Sequence, residues 1–436
     1  MGYKTYPEYR DSGVQWLGEM PSHWETRRLK YAAPLRNIKI IAGESHLPYV
    51  GLENIESWSG KYLVQDAAND LEGLSSRFYP GDVLFGKLRP YLAKAFLADF
   101  EGMCSSELLV LQGKGVQPEF LVRFMLSVGF IREVDSSTYG AKMPRASWDF
   151  IGNLLVTLPP TGEQTTIAAF LDEKTTQIDQ LIEKKTRFIE LLKEKRAALV
   201  TEAVTGKFDA RTGKPYAEYK DSGVEWLGKV PAHWEVKPLK RGYSVKLGKM
   251  LQPVQQAPQD VLKPYLRASN IQPDGIYVSG VKEMWFSPLE LGVLRLKYGD
   301  LLVSEGGDVG RSAIWRRELE EAYYQNSINR VRGLEGNNNY YLNYLLSCIK
   351  ESGAIDVICN RLSIAHLTTE KLNEIQILFP TAEEQSAIAA FLDEKTTQVD
   401  QLIEKTQQSI DLLKEKRAAL ITAAVTGKID VRNERI

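Results

Sequence analysis

Ile167-Ala168-Ala169-Phe170-Leu171-Asp172-Glu173-Lys174 returns unchanged as Ile388-Ala389-Ala390-Phe391-Leu392-Asp393-Glu394-Lys395. Each copy lies near the start of a stretch free of Pro and Gly, from Glu163 to about Val204 and from Glu383 to about Val425. Leu, Ala, Glu, Lys and Arg, all strong helix formers, dominate both. Pro160 and Pro380 precede them, and Gly206 and Gly427 mark their ends. Apolar residues fall mostly at three- and four-residue steps: Ile167, Leu171, Ile178, Leu181, Ile182, Ile189, Leu192 and Leu199 in the first copy. The second copy has Ile388, Leu392, Val399, Leu402, Ile403, Ile410, Leu413 and Leu420. Two helices of roughly 40 residues, about 60 Å each, are expected. A lone helix of that length cannot bury its seam, so the two should pack on each other as an antiparallel coiled coil.

Outward from the helices the duplication continues. Asp11-Ser12-Gly13-Val14-Gln15-Trp16-Leu17-Gly18, with His23-Trp24-Glu25, returns as Asp221-Ser222-Gly223-Val224-Glu225-Trp226-Leu227-Gly228, with His233-Trp234-Glu235. The period is roughly 210–220 residues, far beyond the about 20–50 of solenoid repeats. The repeating unit is therefore a whole domain plus a connector. After each helix Ala-Val-Thr-Gly-Lys recurs, at 203–207 and 424–428. The first copy runs on through the polar connector 209–215 into the Asp-Ser-Gly block. The second has its matching block only at the N-terminus, so the order is cyclic and the C-terminal end should lie near residues 6–28.

Between these blocks lie segments 31–157 and 241–377, which differ strongly but share a faint skeleton. Pro48-Tyr49-Val50 with Asn54-Ile55 parallels Pro264-Tyr265-Leu266 with Asn270-Ile271, and Gly81-Asp82-Val83-Leu84 parallels Gly299-Asp300-Leu301-Leu302. The expected fold class is α+β: two mixed α/β domains separated by two long α-helices packed as an antiparallel coiled coil, pseudo-twofold by internal duplication. The boundaries read 1–157 for the first domain, 158–211 for the first helical spacer, 212–377 for the second domain and 378–436 for the second spacer.

A formal net charge of −1 argues against a chain that coats nucleic acid through bulk charge, though not against local basic faces. Three cysteines, Cys104, Cys348 and Cys359, have no metal-like spacing and fit a reduced, cytoplasmic setting. No apolar run approaches the ~18 residues of a membrane span. No catalytic constellation stands out either. Gly306-Gly307-Asp308-Val309-Gly310 lacks the lysine of a phosphate loop and reads better as a tight turn. The histidines His23, His46, His233 and His366 are scattered, and Pro159-Pro160 is not the motif of amino-methyltransferases.

Nucleic-acid readout fits better. After the shared Gly-Asp strand the first half gives Lys87, Arg89 and Tyr91, and the second gives Ser304, Asp308 and Arg311. Lys142 and Arg145, and in the other half Arg361 and Ser363, form a second pair of polar loops. Arg and Lys can pair with guanine, and acids can accept from cytosine. For any one of them a solvated surface charge or a phosphate contact is the blander reading. As a set, at matching places in two halves, they are the expected DNA-binding residues.

These blocks, with the Pro-x-x-Glu-Gln and Pro-x-x-Glu-Glu-Gln helix entries at 160–164 and 380–385, resemble the specificity subunit of type I restriction–modification enzymes. The resemblance covers the whole chain, and it is specific for the frame while silent on the variable segments. It implies two target recognition domains that each read half of a split, asymmetric site in double-stranded DNA, at a spacing set by the helices. It also implies two modification subunits and two restriction subunits as partners. S-adenosylmethionine, ATP and Mg would sit on those partners, with no cofactor, metal or catalytic residue in this chain. Gln164, Phe170, Leu171, Gln385, Phe391 and Leu392 would serve the helical spacer and subunit docking. The competing readings are a stand-alone methyltransferase or nuclease, and a coiled-coil scaffold that binds only protein.

Overall fold

A computed structural model describes residues 3–64, 73–224, 227–359 and 366–434. The chain forms two units, one of residues 1–187 with 406–436 and the other of residues 188–405. The two long helices run Thr161–Val204 and Ala382–Val425, each of 44 residues and so about 66 Å long. Each begins slightly earlier than expected, because residues after the proline join the first turn. Pro160 O accepts from Glu163 N (2.8 Å) and Gln164 N (3.0 Å). Both helices end before glycines with left-handed backbone, Gly206 (φ 71°) and Gly427 (φ 74°). A Cβ there would fall 2.5 Å from Pro231 Cδ and 2.2 Å from Pro21 Cδ respectively, so only glycine fits.

In the first unit the start of one helix packs on the end of the other. Ile167, Phe170, Leu171 and Ile178 share a core with Leu420, Ile421, Ala424 and Val425. In the second unit Val200, Ala203 and Val204 meet Ile388, Ala389 and Leu392. The pairing is antiparallel in both, and one ion pair marks the register in each: Arg417–Asp179 (2.9 Å) and Arg196–Asp400 (3.0 Å). These are the same two positions of the repeat with the partners exchanged. Leu181 and Leu402, expected in the seam, stand 47% and 42% exposed. Adjacent Ile182 takes the inward position of the first copy instead. A run of two apolar residues leaves the sequence ambiguous as to which one faces in.

The domain of the first unit holds a three-stranded antiparallel sheet ordered Leu108–Gln112, Asp82–Gly86, Ala95–Leu97 and a four-stranded sheet around Leu74–Phe78. The second unit has a four-stranded sheet ordered Tyr243–Leu247, Ile328–Gly333, Leu301–Ser304, Ser312–Ile314, and a three-stranded sheet centred on Val261–Leu266. The shared skeleton consists of turn-closing residues. Asp82 and Asp300 are 2% exposed. They accept from Tyr79 N and Lys297 N (2.8 Å each) and are gripped by Arg36 and Arg332. Asn54 and Asn270 close the other shared turn, accepting from Gly51 N (2.8 Å) and Arg267 N (2.9 Å).

The repeated aromatic block docks on the helix start. Glu163 accepts from the Tyr6 hydroxyl (2.5 Å) and Trp24 Nε1 (3.1 Å), and its other oxygen lies 2.9 Å from His23 Nε2. Glu384 keeps the histidine contact, to His233 at 2.9 Å, but turns its other oxygen to Thr381 N (3.1 Å). Trp234 Nε1 is left without an acceptor among the described residues. Burial would raise the Glu384 carboxyl, but hydrogen bonds from His233 and Thr381 outweigh it and hold it below the ordinary carboxylate range.

The end of the chain closes on its start within the first unit. Asp430 N donates to Lys4 O (2.8 Å), Lys428 Nζ to Glu19 O (2.5 Å) and the Tyr9 hydroxyl to Gly427 O (3.0 Å). The cyclic order expected from the repeat is thus present as hydrogen bonds. A circular permutant opened in the exposed turn Arg211–Lys214, with the native ends joined by a short Gly/Ser linker, should be soluble. It should also melt within a few degrees of the parent. An insoluble permutant would show that the 209–215 connector is needed for folding.

Candidate nucleic-acid interface

In the first unit two loops more than 50 residues apart in sequence are knitted into one edge. The strand Asp82–Gly86 delivers Lys87, whose N–H donates to Glu107 O (3.0 Å) and whose carbonyl accepts from Ala146 N (2.9 Å). Arg89 N donates to Pro144 O (2.7 Å), and Tyr139 and Arg145 exchange backbone hydrogen bonds of 3.1 Å. Arg89 (φ 50°) and Ala93 (φ 46°) both hold left-handed backbone on either side of the turn Pro90–Leu92, which turns the loop tip outward.

This edge gathers every residue expected in the first half. Lys87, Arg89 and Lys142 have no carboxylate partner among the described residues; the guanidinium of Arg89 reaches only Lys142 O, at 3.5 Å. Arg145 is different, because its guanidinium lies 3.0–3.1 Å from the Glu107 carboxylate, which holds its pKa up and fixes its direction. Tyr91 (46%) and Tyr139 (65%) stand exposed beside these cations, with Met143. Unneutralised cations interleaved with exposed aromatic rings suit phosphates and base edges. Sequence reasoning did not single out Tyr139. Its aromatic type beside two basic residues was the available signal.

The second half corrects the sequence reading. Ser304 is fully buried, and its hydroxyl donates to Gly306 O (2.7 Å) inside the turn. Asp308 is paired with Arg311 (3.4 Å) and Lys350. Arg311 points inward, donating to Ala268 O at 3.3 Å. It occupies the place of Lys94, which donates to the equivalent Leu52 O at 2.6 Å. The physical reason is the glycine-rich segment. Gly307 (φ 77°) and Gly310 (φ 76°) fold it into a tight turn that buries Ser304 and directs Arg311 to Ala268 O, while Asp308 stays exposed in its ion pairs. Arg361 and Ser363 lie outside the described residues.

The helix residues expected at subunit contacts are buried in their own units. Gln164 bridges Gln117 N (2.7 Å) and Pro159 O (2.8 Å), and Gln385 bridges Asn338 N (2.8 Å) and Pro380 O (3.0 Å). Phe170, Leu171 and Leu392 are at most 1% exposed, and half-buried Phe391 packs on Phe208 at 5.5 Å. They fasten helix to domain, and of the six only Phe391 keeps part of its side chain exposed.

Among the described residues no group of three His, Cys, Asp or Glu side chains is gathered as a metal site would need. No helix there is long and apolar enough to cross a membrane.

Residues 291–412 match the type I restriction modification DNA specificity domain. The chain is 24% identical over 199 residues to the EcoDI type I specificity subunit of Escherichia coli, covering 45% of this chain and 44% of that protein. Over 438 residues it is 23% identical to the MjaVIII specificity subunit of Methanocaldococcus jannaschii, covering 95% of both. A solved chain from a type I restriction–modification system, from work on its complex assembly and conformational transition, has the same fold. Its TM-score is 0.73 at 18% identity, covering 93% of this chain and 98% of that one. Residues 291–412 thus carry the specificity-domain match, and over nearly its whole length the chain is similar to type I restriction specificity subunits. A specificity subunit is the non-catalytic, DNA-recognising chain of its system.

Proposed function

We propose that this specificity subunit reads an asymmetric, bipartite site in double-stranded DNA, one half with each unit. It would thereby direct adenine methylation and cleavage by partner subunits in the cytoplasm. The observation that carries this reading is that two domains sharing a central antiparallel sheet present unlike residues at matching places beside it. The first offers Lys87, Arg89, Lys142, Tyr91 and Tyr139; the second has a glycine-rich turn there, with Ser304 buried, Arg311 turned to Ala268 O and Asp308 ion-paired. Unlike readers on like frames select unlike half-sites. Two modification subunits would bring S-adenosylmethionine, and two restriction subunits ATP and Mg. The solved relative's place in a restriction–modification system supports such partners.

The test is co-expression with the modification subunit in a methylation-free host, followed by sequencing for modified adenine. A split motif with two different halves is the expected outcome. A stable complex that leaves the DNA unmodified would favour the protein-binding scaffold instead.

A further inference from the structure

The two recognition domains correspond bond for bond where their loops leave the central strand. Gly86 N donates to Lys94 O (2.9 Å) and Ser304 N to Arg311 O (2.8 Å). Lys87 N donates to Glu107 O (3.0 Å) and Glu305 N to Ser327 O (2.9 Å). Ala146 N donates to Lys87 O (2.9 Å) and Leu367 N to Glu305 O (2.8 Å). Glu305 therefore stands where the first unit has Lys87, with His366 in place of Arg145 and Ser327 in place of Glu107.

Glu305 differs from its neighbours in the turn in one respect. Ser304 and Arg311 are committed to internal contacts and exposed Asp308 to ion pairs, but the Glu305 carboxylate has no hydrogen-bond donor or ion-pair partner among the described residues. It is half-buried, and burial pushes its pKa up, with Glu370 adding a like charge and His366 partly opposing the shift. A partly desolvated carboxylate without a donor is unfavourable unless something supplies one.

We propose that Glu305 is a specificity-determining residue of the second unit, accepting a hydrogen bond from the N4 amino group of a cytosine in the major groove. This deepens the DNA-reading role and rests on it. A carboxylate only accepts. Cytosine presents a lone donor there, whereas adenine sets its N7 acceptor beside N6 and guanine offers acceptors only. Lys87, at the same place in the first unit, carries the opposite chemistry and selects an acceptor such as guanine O6 or N7.

The experiment maps methylation by the wild-type complex and by Glu305→Gln, Glu305→Asp and Glu305→Ala, with a thermal melt of each. The parent motif should contain a cytosine in the second half-site that Glu305→Ala relaxes to any base. Glu305→Gln should prefer adenine there, since an amide can pair with N6 and N7 together. The change in preference at that position should be roughly ten- to hundredfold, with the first half-site unaltered. Glu305→Asp keeps the acceptor and should keep the cytosine. A motif unchanged in Glu305→Ala and Glu305→Gln would overturn the proposal, whatever their melts. So would loss of the motif in Glu305→Asp together with the others, since the carboxylate would then not be the reader. If the parent itself methylates no split motif, the DNA-reading role fails first, and the two failures are distinguishable.

Discussion

Arg417→Ala should lower stability by about 3–5 kcal/mol, while Arg196→Ala, the same substitution at the matching place of the repeat, should cost no more than about 1 kcal/mol. Both arginines lie in the identical stretch Glu-Lys-Arg-Ala-Ala-Leu, and both face an aspartate across the helix pair. Their surroundings differ. The Arg417 side chain is 8% exposed, and besides Asp179 it donates to Trp58 O (2.6 Å) and Ser59 O (3.0 Å). Lys61 reaches Asp179 from the same loop at 3.0 Å. Trp58 holds left-handed backbone (φ 63°), a conformation a non-glycine residue keeps only when its surroundings enforce it. Removing Arg417 strips two carbonyls of their donor and leaves Asp179 to Lys61 alone.

Arg196 and Asp400 are instead 38% and 54% exposed and line an open cleft of about 1090 Å³ with Lys193, Tyr344 and Asp393. An exposed pair of this kind contributes little. Thermal melts of the two variants decide the matter. A drop of roughly 6–20 °C is expected for Arg417→Ala, and a few degrees at most for Arg196→Ala. Equal drops would mean that the loop carrying Trp58 adds nothing to the helix pair.

Glu163→Ala should be about as damaging, on the order of 3–5 kcal/mol, because one carboxylate serves three groups. It accepts from Tyr6 and Trp24, both buried, and contacts His23. Alanine leaves all of them without an acceptor, and a buried donor so abandoned costs about 1–3 kcal/mol. The segment from Tyr3 to Arg28 should then become sensitive to protease before the rest of the chain unfolds. Glu384→Ala should cost less, since Trp234 Nε1 already lacks an acceptor and His233 is half exposed. Denaturant titrations of both variants would measure the difference. A Glu163→Ala protein as stable as the parent would mean that apolar contacts alone hold the N-terminal block.

The frame was legible in the sequence because it is written twice. Helix ends followed from Pro160, Pro380, Gly206 and Gly427, and the closure of the C-terminal end on the N-terminal block followed from cyclic order. The strands Asp82–Gly86 and Leu301–Ser304 were legible as apolar runs after the shared Gly-Asp, but the sheet pairing was not, because runs buried at every position carry no alternation to read. The site was half legible. The first-unit residues Lys87, Arg89, Tyr91, Lys142 and Arg145 do converge, because their loops pair through backbone. In the second unit residue type was a weaker guide: Ser304 and Arg311 are polar, but a turn bent at Gly307 and Gly310 spends them internally, while Asp308 stays exposed in ion pairs. Which polar side chain a glycine turn points outward depends on its φ angles, and these are not encoded in local composition.

The closing of the last residues on the first has a consequence for the order in which the protein is made. The second unit occupies one unbroken stretch, residues 188–405, and every contact of its core is available once that stretch has left the ribosome. The first unit must wait. Its core takes Leu420, Ile421, Ala424, Val425 and Val431 from the far end of the chain, so translation exposes Phe120, Phe170 and Leu171 long before their partners exist. The amino-terminal half is translated first and completed last, reversing the usual N-to-C order of domain folding.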